Sequence, residues 1–129
     1  DETSRGLGDV YKRQDLTQGG LMAANQASNA IRGLYWGGAP TNNTNIDVIT
    51  IATTGNAIKF GDMTVTKAYR NCMTSPTRAV AGGGQTPGDG TVTIDYVEIA
   101  TEGNAVDFGD LREDQHLSGA SFSNGHGGL

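Results

Sequence analysis

Two stretches of this chain are nearly the same. Ile46–Asp62 (IDVITIATTGNAIKFGD) and Ile94–Asp110 (IDYVEIATEGNAVDFGD) align at an offset of 48 residues without a gap, and eleven of their seventeen positions are identical. A period of this length is the mark of a repeat architecture, in which one supersecondary unit cannot bury its apolar face alone and stacks on its neighbours. The flanks continue the pattern more loosely. Arg32–Gly38 (RGLYWGG) answers Arg78–Gly84 (RAVAGGG), and Asp15-Leu16-Thr17 answers Asp62-Met63-Thr64 and Asp110-Leu111-Arg112. The repeat domain therefore spans residues 15–129, with units at 15–61 and 62–109 and a partial one at 110–129.

Each unit reads as four short strands. Ile46–Ala52 and Val92–Ala100 are rich in β-branched residues and bounded by Asn, Gly and Thr, the strongest strand signals in the chain. Arg32–Trp36 and Arg78–Ala81 are apolar segments ended by glycine. Ala57–Phe60 and Ala105–Phe108 follow the turns Gly55-Asn56 and Gly103-Asn104, which supply positive-φ turn residues. Ala68–Met73 and Leu117–Phe122 complete the set. Met22–Ile31 has a passing helical look, but its alignment makes it the first strand of a unit. Composition agrees: 20 of 129 residues are Gly and only 18% are charged, which suits strands and tight turns.

The expected fold is all-β, with antiparallel four-stranded blades of a β-propeller in about two and a half repeats. Two blades and a part do not close a ring, so the chain reads as a fragment of a larger propeller. By itself it is expected to be marginal, aggregation-prone or oligomeric, with other blades or copies of itself needed to close the ring. Residues 1–14 have no counterpart in the repeats and read as a non-native or disordered tail. Within them Asp9–Gln14 (DVYKRQ) resembles the translated sequencing-adapter tract found at the ends of metagenomic assemblies.

The repeated residues have structural readings. The pairs Gly37-Gly38 and Gly83-Gly84 permit close approach or a bend. Phe60 and Phe108 fill the gap between units, and Asp62 and Asp110 accept backbone N–H groups in the connection that follows. Asp47 and Asp95 are placed to pair with Arg32 or Arg78. The units differ most in the loops after the glycines, Ala39–Asn45 and Gln85–Thr93. Thr41, Asn42, Asn43, Thr44, Asn45, Gln85, Thr86 and Asp89 are therefore the candidate partner-binding residues, suited to a sugar hydroxyl array or a protein surface.

Chemistry beyond binding has little to stand on. A net charge of −5 with scattered basic residues argues against nucleic acid, and no apolar run is long enough to insert in a membrane. His116 and His126 lack ligand-spaced partners. Cys72 reads as a small buried hydrophobe. Gly82–Gly84 lacks the Lys-Ser/Thr of a phosphate loop. Asp107, Asp110, Glu113 and Asp114 read as a solvated acidic turn rather than a Ca²⁺ site, and Asn42-Asn43-Thr44 is a formal glycosylation sequon. No catalytic residue, cofactor or metal is predicted. The alternative, a fragment of a propeller-type hydrolase or oxidase, requires catalytic groups in blades outside this chain.

The unit resembles the kelch repeat. The features that carry the likeness are Arg78, Val80, the glycines 82–84, Ile94-Asp95-Tyr96 and the late aromatic Phe108; kelch blades usually place Trp at that last position. The repeats also resemble those of kelch-like proteins encoded by marine bacteriophages and their hosts, through IDYVEIATEGNAVDFGDL and the closing SNGHGGL (Ser123–Leu129). That resemblance implies a non-enzymatic tail or virion-associated protein whose loops face a glycan or a protein.

Overall fold

The computed structural model describes residues 15–17, 25–38, 43–86 and 89–115. Among these residues there is no helix. Nine strands form two antiparallel sheets: β1 (Asn25–Ser28), β2 (Arg32–Trp36), β3 (Asn45–Thr50) and β4 (Ile58–Asp62), then β5 (Asn71–Thr74), β6 (Arg78–Gly82), β7 (Gln85–Thr86), β8 (Asp89–Glu98) and β9 (Val106–Gln115). The first sheet has the order β1-β2-β3-β4; the second repeats it as β5-β6-β8-β9. The two-residue β7 pairs with the start of β8 and, through Gln85, bridges to Ala68.

Several segments differ from expectation at their ends. β5 begins three residues after Ala68, because Ala68 is held instead in a single bridge to Gln85. β8 starts at Asp89, since Thr91-Val92-Thr93 is β-branched and extends the strand into what reads as a loop. β9 continues past Asp110 to Gln115. The acidic run at Asp107, Asp110, Glu113 and Asp114 thus lies on a strand and not in a turn. Leu117–Phe122, His116 and His126 lie outside the described residues.

Register decides which face each side chain takes. Ala27 opposes Leu34, Leu34 opposes Val48 and Trp36 opposes Ile46, so these five share one face of the first sheet. Cys72 opposes Ala81, and Ala79 opposes Val97, on one face of the second. All of these residues are buried in one apolar cluster together with Phe60, Met63, Ile99 and Ala105. The sheets therefore pack face to face, large residues of the first against small ones of the second.

The same β-bulge occurs twice. Ile46 pairs with Gly61 but Asp47 with Lys59, leaving Phe60 as the extra residue; Ile94 pairs with Gly109 but Asp95 with Asp107, leaving Phe108. A bulge re-aims one side chain out of the pleat, here the repeated phenylalanine. Phe60 is 3% exposed, whereas Phe108 is 54% exposed and meets the Tyr96 ring edge to face, with centroids 5.8 Å apart. The difference is the second sheet, which covers Phe60.

A backbone stitch joins the sheets. Gly103 N–H donates to Phe60 C=O (3.0 Å) and Ala105 N–H to Asp62 C=O (2.8 Å). In return Asp62 N–H donates to Asn104 Oδ1 (3.0 Å). The first unit makes the same contacts with the chain that precedes it: Ala57 N–H to Asp15 C=O (2.8 Å), and Asp15 N–H to Asn56 Oδ1 (3.2 Å). The Gly-Asn-Ala segment is thus a reaching corner, not a two-residue hairpin turn. Its glycines have φ of 150° and 155°, and its asparagines keep negative φ. Gly61 answers this corner: a Cβ there would lie 2.0 Å from Gly103 C=O.

Candidate binding rim

The glycine pairs set the base of the variable loops. Gly37 and Gly83 both take left-handed φ, 55° and 67°, a conformation that costs a side chain about 1 kcal/mol or more. The chain therefore leaves β2 and β6 in the same direction. Gly37 N–H donates to Asn45 C=O (2.8 Å) and Gly83 N–H to Thr93 C=O (3.2 Å), closing each loop at its foot.

The loops are tied to the connector that runs from Asp62 to Arg70. Asn43 Oδ1 accepts from Asn45 N–H (3.0 Å), a local Asx contact. Thr44 C=O accepts from Met63 N–H (2.7 Å), and its hydroxyl donates to Asp62 (3.0 Å). Lys59 lies 3.0 Å from the same carboxylate. That ion pair and the Thr44 hydroxyl hold the Asp62 carboxyl below its ordinary range. In the second loop Gln85 and Ala68 exchange N–H···O=C bonds at 2.9 and 3.0 Å. Lys67 Nζ reaches Asp89 at 2.7 Å, and its own stem is mostly covered while the Asp89 carboxylate stays in water.

Of the candidate binding residues, Asn43, Thr44, Asn45, Gln85 and Asp89 thus flank one connector, with Lys67 beside both loops. A Cβ on Gly37 would lie 3.2 Å from Asn43 C=O and 3.4 Å from Lys67 C=O, and one on Gly84 would lie 3.2 Å from Lys67 Cβ. Thr41 and Asn42 lie outside the described residues, and Thr86 is placed only as part of β7. The rim offers amides, hydroxyls, a carboxylate and an ammonium, groups that exchange hydrogen bonds with a polar ligand. Among the described residues no three His, Cys, Asp or Glu side chains come together as metal ligands.

Beneath the rim lies a buried ion pair that motif reading missed. Arg70 Nη1 donates to Asp95 Oδ2 at 2.8 Å, and both side chains have zero exposure. The guanidinium also donates to Gly83 C=O (2.9 Å), Ala81 C=O (2.9 Å) and Thr93 C=O (2.8 Å). It therefore closes the foot of the second loop from inside. Asp95 additionally accepts from the backbone N–H (3.0 Å) and the hydroxyl of Thr64. Asp47 repeats that half of the arrangement with Thr17, at 2.8 and 2.7 Å.

The expected pairing of Asp47 and Asp95 with Arg32 or Arg78 does not occur. Arg78 sits at a strand edge, pairs with Glu98 (2.8 Å) and stacks over Tyr96 at 4.4 Å. Arg32 reaches Ile99 C=O in the other sheet at 3.0 Å. Both arginines open their strands, out of reach of aspartates that lie behind the glycines. Arg70 carries little sequence signal: it follows Tyr69 just ahead of a short strand, and Ala24 stands at the matching place of the first unit, so no repeat marks it.

No protein-family profile matches the chain, and no curated protein matches it significantly.

Proposed function

We propose that the two sheets are consecutive blades of a kelch-like β-propeller, and that the protein is a non-enzymatic structural or binding module whose post-glycine loops face a glycan or a protein partner. The observation that carries this reading is the duplicated junction. Asp62 and Thr64 meet Asn104, Ala105 and Asp95 just as Asp15 and Thr17 meet Asn56, Ala57 and Asp47. Repeated contacts between successive four-stranded sheets generate a radial array. Each such step places the variable loops on one rim, where they act together.

The phage-repeat resemblance and loops rich in Asn, Thr and Asp support a virion or cell-surface setting for such a module. Binding is tested on a glycan array with the whole chain and with a variant carrying Asn43→Ala, Asn45→Ala, Gln85→Ala and Asp89→Ala. The expected result is a discrete set of bound glycans that the variant loses. Equal binding by both proteins removes the rim from the proposal.

A further inference from the structure

We infer that the open face of the second sheet docks a second copy of this chain, head to tail, through the junction that already joins the two sheets of one chain. This deepens the blade reading and rests on it.

The second sheet carries the docking groups of the first, uncovered. Met73 opposes Val80, and Val80 opposes Tyr96, on the face turned away from the first sheet. Met73, Val106 and Phe108 are large exposed apolar residues. Met73, Val80 and Phe108 line a shallow groove together with Arg78. Phe108-Gly109-Asp110 repeats Phe60-Gly61-Asp62, the site that receives Gly103-Asn104-Ala105. A Cβ on Gly61 strikes that corner, whereas a Cβ on Gly109 would meet no atom of the described residues within 4 Å. The second sheet thus presents the residues of that cradle unoccupied, with Gly109 at φ 147° where Gly61 keeps a negative φ.

The chain holds one such corner that faces outward. Gly55-Asn56-Ala57 belongs to the first sheet and, among the described residues, hydrogen-bonds Asp15 of its own chain. Behind it lies the first sheet's other face, on which Tyr35 and Ile49 are half-buried and Ile51 is exposed. Residue sizes match across the two open faces. At the closed junction Trp36 stands on one face and Ala81 on the other; at the corresponding open positions stand Gly82 and Tyr35. The large residue has changed sides, and the pair of faces stays complementary.

In the docked pair Asn56 Oδ1 of the second copy accepts from Asp110 N–H, and Ala57 N–H of that copy donates to Asp110 C=O. Asp110 takes the place that Asp15 fills in the free chain. Arg78 reaches the second copy's Ile51 C=O, as Arg32 reaches Ile99 C=O within one chain. Such a contact is heterologous, so it builds rings or open chains rather than closing as a two-fold dimer.

The test uses Val80→Glu, which blocks one face, and Ile49→Glu, which blocks the other, with mass read by light scattering after size exclusion. Wild type is expected to exceed the monomer mass of 13.4 kDa as concentration rises. Each variant alone is expected to stay monomeric, and their mixture to show a twofold rise in mass to a 1:1 pair. Phe108→Glu, at a position already half exposed, repeats the Val80 arm with little risk to folding, and unchanged Trp36 emission certifies each fold. Association of Ile49→Glu by itself means like-to-like pairing and overturns the head-to-tail geometry. Wild type that is monomeric at every concentration overturns docking of a second copy, leaving the rim to be judged by the array.

Discussion

Arg70 and Asp95 form a fully buried ion pair in which the guanidinium reaches three backbone carbonyls as well as the carboxylate. Burying two charges costs several kcal/mol per ion, and such a pair persists only when every polar atom is met. Removing one partner strands the other. Arg70→Met and Asp95→Asn are each expected to lower stability by about 3–5 kcal/mol, measured by urea unfolding followed through Trp36 emission. The double variant Arg70→Met with Asp95→Leu is expected to recover part of that loss. Recovery stays incomplete, because Thr64 N–H loses its acceptor at a cost of about 1–3 kcal/mol.

The two phenylalanines separate sequence identity from environment. Phe60→Ala opens the core between the sheets and is expected to cost about 3–5 kcal/mol. Phe108→Ala removes a half-exposed ring that touches mainly Tyr96, and less than about 1 kcal/mol is expected. Equal losses in chemical denaturation of the monomeric protein would contradict the described burial.

Gly61 meets the corner at Gly103 too closely for any side chain. Gly61→Ala is expected to part the stitch and lower the unfolding midpoint more than Asn104→Ala. The latter loses one hydrogen bond, worth about 1 kcal/mol. Hydrogen exchange at Gly103 and Ala105 is the direct readout: protection disappears in Gly61→Ala and persists in part in Asn104→Ala.

Burial pushes the Cys72 thiol up to about 12, against the opposing influence of Arg70. The thiolate is the reactive form, so the native protein is expected to resist a thiol reagent at pH 8. Full reaction appears in denaturant, and the native rate follows the opening of the sheets. Rapid native labelling would place Cys72 at the surface.

The Asp62 carboxyl is held below its ordinary value of 3.8, first by Lys59 and then by the Thr44 hydroxyl. A lowered folded-state value means stabilisation that is complete above 3.8 and is lost as pH falls through the folded value. Asp62→Asn is therefore expected to lower the melting temperature modestly at pH 7 and to converge with wild type as pH falls below the folded value, so that its pH dependence is flatter. Added salt weakens the Lys59 contribution, since both groups are partly exposed.

Repeat period, strand content and the positions of β2, β3, β4, β6 and β8 were legible in the order of residues. Each rests on local preference and on a pattern written twice. Ile46–Asp62 and Ile94–Asp110 also marked the junction residues by repetition alone. Their use was not legible: Asn56 and Asn104 read as turn residues, because a turn and a reaching corner ask for the same small polar types. Arg70 carried no repeat signal, and its partner Asp95 lies 25 positions away on another strand, a proximity only the sheet order creates.

Sequence by itself determined that this chain makes two like four-stranded units, because strand propensity and a 48-residue period are local and repeated. Tertiary structure alone decided what identical residues do. Phe60 is core and Phe108 is surface, and Gly61 is obligatory where the space beside Gly109 is open. Asp95 holds an arginine besides its threonine, whereas among the described residues Asp47 holds a threonine. The physical reason is that burial and pairing depend on the neighbouring sheet, and only one of the two units has a sheet stacked on that face.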